Sequence, residues 1–216
     1  MPLGLLESVI VAGALTVDVL KRGLTRIAAQ MEIVADELNA RDGALGDGDL
    51  GVTMVRGMRA IMTELDAFPD DLGLALLKCA QAFTKTSGST FGTLLATGLM
   101  TAAKATKGQR EIVWRDLSGL LRSAVTAMAS RGKAQLGDKT VLDALDAVCH
   151  AIDGRDAPDE MLVAAKSHVQ VVVDRLRSQP ARQGRARIFA DKTIGTDDPG
   201  MIVIVQILES LTPASA

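Results

Sequence analysis

The stretch RIAAQMEIVADEL, residues 26–38, decides the reading of the chain, because its apolar side chains Ile27, Met31, Val34 and Leu38 recur three and four residues apart. That interval matches the 3.6-residue turn of an α-helix and puts all four on one face, whereas a half-buried strand would alternate at every second residue. The same spacing returns along most of the chain, and β-branched alternating runs are few. It predicts helices near residues 5–21, 23–40, 51–66, 70–86, 92–107, 115–131, 139–152, 158–178 and 199–211. Breaks such as FPDD at 68–71 and DGRD at 153–156 are turn chemistry, which predicts antiparallel neighbours joined by tight loops. The expected class is all-α, a bundle of eight or nine amphipathic helices.

At 216 residues and 48% hydrophobic, the chain fits one domain over 1–216 with a filled core, with residues 1–22 as an extra N-terminal helix. Lys and Arg total 24 against 26 Asp and Glu, and the aromatics are four Phe, one Trp and no Tyr. That leaves neither a basic field nor stacking platforms for nucleic acid. The apolar run from Ser8 to Val17 is closed by Asp18 and Lys21, well short of the roughly 20 residues that span a bilayer. Glu7 precedes it and no basic segment leads it, so neither a membrane helix nor a secretory signal is expected, and the location expected is cytoplasmic. Cys79 and Cys149 lack CxxC spacing and sit in apolar helical patterns, which fits free buried thiols in a reducing compartment.

Four loops interrupt the helices with Gly, Asp, Ser and Thr: DGALGDGDLG at 42–51, TSGSTFGT at 86–93, GKAQLGDKT at 132–140, and the segment from Gly184 to Gly200. In an up-and-down bundle, loops separated by an even number of helices lie at the same end, so these loops are expected to converge on one ligand.

Each loop has a chemical reading beside a plain one. The segment from Gly46 to Gly51 has the form G-x-G-x-x-G but follows a helical pattern, so the dinucleotide fingerprint fails. Asp47 and Asp49 would repel a pyrophosphate there unless cations intervene, and Asp42, Asp47 and Asp49 are carboxylates suited to Mg²⁺ shared with substrate phosphates. An EF-hand is excluded, since the twelfth position counted from Asp42 or Asp47 is Thr53 or Met58 instead of Glu. The alternative is a solvated turn with Asp caps. Ser87 to Gly92 suits an anion at a helix N-terminus, and equally suits a simple cap. The run from Gly132 to Thr140 resembles a P-loop, but Asp138 separates Gly137 from Lys139 and no strand precedes it, so a helix cap by Asp138 is preferred. His150 and His168 have no metal-pair spacing, and no Gly-x-Ser-x-Gly elbow occurs.

Taken together, these loops resemble the L-type, or Dak2-type, domain of dihydroxyacetone kinases over Arg26 to Leu211. The marks are the cluster from Asp42 to Asp49, Ser87-Gly88 with Phe91 to Thr93, Ser130 to Ala134, Gly137 to Thr140, Gly184 to Ala186, and Asp198 to Gly200. The resemblance implies an antiparallel barrel of about eight helices holding ADP or ATP at one end through two Mg²⁺ ions. It implies Asp42, Asp47 and Asp49 as metal ligands; Leu50, Gly51, Val52, Thr53, Thr86 and Ser87 along the phosphates; Gly132 and Val141 near the nucleoside; and Arg185, Asp198, Pro199 and Gly200 closing the site. The chain departs from the family pattern in two places: Leu50 stands where His is usual, and Lys192-Thr193 where Arg-Ser is common.

The family divides its work, with a separate K-type protein holding the ketone and the L domain delivering the phosphoryl group. The resemblance therefore implies a phosphotransferase subunit of a short-ketose kinase that needs a K-type partner. Its donor is either exchangeable ATP or a phosphotransferase-system protein that rephosphorylates bound ADP. A nucleotide-binding regulator or scaffold is the alternative, and a homodimer stays open.

Overall fold

The computed structural model describes residues 13–212. Five of its helices start where a short polar side chain accepts from a first-turn N–H that has no partner within the helix. Thr16 caps α1 (Val17–Gly43), Asp71 caps α3 (Leu72–Thr86), and Ser89 caps α4 (Thr90–Ala105). Thr140 caps α6 (Val141–Ile152) in a reciprocal box, in which Asp143 accepts from the Thr140 N–H. Asp138 is not that cap; its carboxylate instead accepts from Gln135 N at 2.7 Å within the loop. Pro158 opens α7 (Pro158–Arg177), and Asp198 caps α8 (Pro199–Leu211), whose first residue is also proline, where a missing N–H costs nothing. With α2 (Leu50–Glu64) and α5 (Leu117–Gly132), the described residues hold eight α-helices, and 3-10 turns at Leu65–Ala67, Trp114–Asp116 and Arg185–Thr193.

Residues 17–43 form one helix, without the break expected at residue 22. Residues 14–16 are not helical: Ala14–Thr16 is β1, paired antiparallel with β2 (Glu111–Val113), Leu15 opposite Ile112. The rest of the expected N-terminal helix falls on residues 1–12, outside the described residues.

Each helix packs on the next in sequence, and α8 returns to α1, so the ring closes as an antiparallel barrel. Its centre is apolar: Met31, Leu38, Leu72, Cys79, Ala144 and Val203 have no exposed surface. On the apolar face of α1, Met31, Val34 and Leu38 are buried, and Ile27 packs half-buried against the core. Cys79 and Cys149 are free, and burial pushes their thiols up to about 12 and about 11, so they serve as small core residues. Among the described residues no helix is long and apolar enough to cross a membrane.

Candidate functional site

An up-and-down ring sends the starts of α2, α4, α6 and α8 to one end, and there the four glycine-rich loops meet around a cavity of about 400 Å³. Helix N-termini carry partial positive charge and unpaired N–H groups, so four of them facing one space favour an anion. The opposite end of the barrel is chemically different. There Leu15, Val19, Trp114, Met161 and Leu208 line an apolar cavity of about 240 Å³ without a charged side chain in its wall.

On one side of the polar cavity, Asp42, Asp47 and Asp49 each bring a carboxylate oxygen to within 4.8 Å of the others. Asp42 is held by the turn itself, accepting from Asp49 N at 3.0 Å, and a Cβ at Gly46 would press on its carboxylate. Burial, followed by the negative charges of Asp47 and Asp42, pushes the Asp49 carboxyl above its ordinary value. Three oxygens at this spacing form a donor set of the hard, anionic kind that Mg²⁺ takes, with positions left for phosphate and water. Arg185 Nη1 reaches Asp47 Oδ2 at 2.5 Å from the other side of the cavity.

Beside this cluster, hydroxyls tie two helix starts together. Thr53 donates to Ser89 Oγ at 3.2 Å, Ser87 and Ser89 share a hydrogen bond of 2.9 Å, and Ser89 accepts from Gly92 N at 3.1 Å. The cap and the anion readings of this loop are therefore compatible: Ser89 is the cap, and Thr86, Ser87, Gly88 and Thr90 line the space in front of it.

Of the residues expected at the site, Leu50, Val52, Thr53, Thr86, Ser87, Gly132, Val141, Arg185, Asp198, Pro199 and Gly200 line this cavity with the three aspartates. Gly51 does not. It faces α1, where a Cβ would collide with the Ala35 carbonyl, and so sets how closely α2 approaches α1. The cavity also takes Arg56, Phe91 and Gln183, which the sequence reading did not select. Arg56 lies three residues after Thr53 on the same helical face, a register that would have found it. Lys192 and Thr193 lie away from the cavity: Lys192 Nζ sits 5.7 Å from the centre of the Phe189 ring, and Thr193 is buried. His150 and His168 are exposed on α6 and α7, away from these loops.

Asp198 gives the site a pH signature. Burial pushes its carboxyl up to about 7, against the opposing effect of the Met201 N–H it accepts at 2.9 Å, and the Asp143 carboxylate pushes the same way as burial. A folded-state value above the unfolded one means that the folded chain binds the proton more tightly. This group therefore erodes stability as pH rises from about 4 to about 7. Asp198→Asn keeps a capping oxygen and removes the ionisation. Its urea midpoint is expected to fall less than the wild-type midpoint between pH 5 and pH 8; equal falls would exclude Asp198 as the source.

Comparison with known proteins bears on the family and the fold. The DAK2 domain family matches residues 44–213. The "PEP-dependent dihydroxyacetone kinase, ADP-binding subunit DhaL" of Escherichia coli is 28% identical over 199 residues, covering 89% of this chain and 94% of that one. The L-erythrulose 1-kinase of Mycolicibacterium smegmatis is 31% identical over 185 residues, 81% of this chain but 32% of its own length. The crystal structure of the dihydroxyacetone kinase of C. freundii with AMP-PNP and Mg²⁺ superposes with a TM-score of 0.72 at 22% identity, over 98% of this chain and 36% of that one. The chain thus spans about a third of the longer kinases and nearly all of the ADP-binding subunit. With most of its length matched and the same helical barrel, it belongs to the DAK2 domain family.

Proposed function

We propose that the chain is the magnesium-nucleotide subunit of a two-component kinase for short ketoses such as dihydroxyacetone or erythrulose. The observation that carries this is the meeting within one cavity of a three-carboxylate cluster and four helix N-termini, which suits a cation and a polyphosphate bound together. In this reading Asp42, Asp47 and Asp49 hold two Mg²⁺ ions. Leu50 to Thr53, Thr86 and Ser87 run along the phosphates of ADP or ATP, with Gly51 acting through the helix start it positions. Gly132 and Val141 bound the nucleoside, and Asp198, Pro199 and Gly200 close the wall beside it. Arg185 is suited to clamp phosphate, because a guanidinium binds it bidentately. What bound Mg²⁺ would supply is Lewis-acid neutralisation of phosphate charge. The protein's own groups would hold and orient the nucleotide.

The similarity to ADP-binding subunits of phosphoenolpyruvate-dependent kinases supports a K-type partner that carries the ketose. It also supports a phosphotransferase-system protein as donor to bound ADP, with ATP as the other source. The two buried free thiols suit a reducing, cytoplasmic setting.

Thermal unfolding tests the nucleotide site. Mg²⁺ with ADP at about a hundred times its dissociation constant is expected to add roughly 2.7 kcal/mol. For a domain of this size that corresponds to a rise of about 5–10 °C in Tm. EDTA is expected to abolish the rise; an equal rise without divalent metal would count against the aspartate cluster.

A further inference from the structure

Lys139 is the most deeply buried charged side chain among the described residues, at 2% exposure, and it takes no part in the cavity wall. Its backbone lies at φ +63°, the left-handed region that a residue with a β-carbon adopts only under constraint. All three of its bonds go to backbone carbonyls: Arg177 O at 3.3 Å, Gln179 O at 2.9 Å and Thr193 O at 2.7 Å. An ammonium group carries three donors and no acceptor, so this arrangement uses it completely. It also offsets the cost of removing the charge from water, as burial pulls the Lys139 ammonium below its ordinary value and the carboxylates of Asp198 and Asp197 oppose that.

The three carbonyls are the base of one loop. The chain leaves the barrel at the end of α7, residues 177–179, crosses the cavity with Gly184, Arg185 and Ala186, and comes back at Thr193 before α8. Other bonds gather the same base: Ala181 N donates to Thr193 Oγ1 at 2.7 Å, Gly195 N donates to Arg177 O at 2.8 Å, and Arg177 pairs with Asp197 at 2.7 Å. Further out, the loop has little burial; Ile188 is 75% exposed.

We infer that Lys139 is a positioning residue: it pins the departing and returning strands of the 178–198 loop together, and thereby fixes Arg185 over the aspartate cluster. This rests on the nucleotide reading above for its effect on binding, but not for the pinning itself. The residue that resembles a P-loop lysine in sequence thus acts on the loop that carries the phosphate-clamping arginine, and touches no phosphate. Because Lys139 is followed directly by Thr140 and Val141 of the cavity wall, the pin also ties that loop to the nucleoside side of the site.

Lys139→Met keeps length and apolar bulk but donates nothing. Its affinity for Mg²⁺-ADP is expected to fall roughly tenfold while affinity for Mn²⁺ alone, read by electron paramagnetic resonance, stays within about twofold. In the Arg185→Ala background the same substitution is expected to have little further effect on ADP, since the pin acts through that arginine. Tryptic cleavage at Arg185 and Arg187 is expected to accelerate in Lys139→Met and not in Lys192→Met. Wild-type ADP affinity and wild-type cleavage in a folded Lys139→Met protein would overturn the inference, as would full additivity with Arg185→Ala. Should Lys139→Met not fold, the wild-type chain gives the answer through native-state exchange. Acetylation of Lys139 and amide exchange of residues 182–196 are expected to rise together at denaturant concentrations below global unfolding. Acetylation that proceeds independently of that loop opening would equally overturn it. If wild-type protein binds no Mg²⁺-ADP, the nucleotide reading fails, while cleavage and exchange still decide whether Lys139 is the pin.

Discussion

Dihydroxyacetone or erythrulose mixed with this chain, ATP and Mg²⁺ is expected to stay unphosphorylated, and to turn over once a K-type protein carrying the ketose is added. In-line transfer requires the acceptor oxygen to be held against the γ-phosphate, and positioning of that kind contributes roughly 7–11 kcal/mol in well-oriented systems. In the proposed function the polar cavity supplies the metal-and-phosphate end. Neither histidine is near it: His150 lies exposed on α6 with Nδ1 2.9 Å from the Asp146 carbonyl, and His168 lies exposed on α7. The cavity wall therefore lacks a histidine that could hold a ketone. Chromatographic detection of the sugar phosphate checks this. Robust turnover by the chain alone would overturn the division of labour, whereas binding of ADP without transfer even beside the partner would favour the regulator or scaffold reading.

Asp47→Asn is expected to weaken Mg²⁺-ADP binding by about a hundredfold, since losing a group that merely supports a metal ligand already costs roughly 10–100-fold. The substitution removes one of the three carboxylates and with it the charge that Arg185 Nη1 meets at 2.5 Å, so both walls of the cavity lose a contact. Asp70→Asn is the matched control, because Asp70 pairs with Arg110 at 2.8 Å on a fully solvated loop where an ion pair is worth little. Titration calorimetry on both variants, with unfolding curves to show that both fold, decides the matter. Equal affinities would remove Asp47 from the site.

The helices were legible because burial of one face leaves a period of three to four in any sequence, and Met31, Val34 and Leu38 show it plainly. The acidic turn was legible for the opposite reason: Asp47 and Asp49 among glycines make no sense as core and little sense against a bare phosphate. Strands β1 and β2 were invisible because three residues give no measurable alternation, and their pairing joins positions about a hundred residues apart. The role of Lys139 was not legible for a related reason. Its neighbours Gly137 and Asp138 suggest a phosphate loop or a helix cap, while its actual partners are carbonyls 38 to 54 residues away, which leave no trace in local spacing. Gly51 belongs to the same class, since only the approach of α1 explains why a side chain is barred there.

The closure of α8 onto α1 has a consequence for synthesis of the protein. Each helix of the ring meets a partner that the ribosome makes immediately before or after it, but the flank of α1 that receives α8 waits until α8 itself has been translated. Some 160 residues separate Leu38 from Pro199, so at about 5–20 residues per second that flank waits roughly 8–30 s. Over this interval the face of α1 that α8 covers in the complete barrel lacks that cover, and transiently exposed apolar surface is the kind that chaperones hold and that neighbouring nascent chains would join.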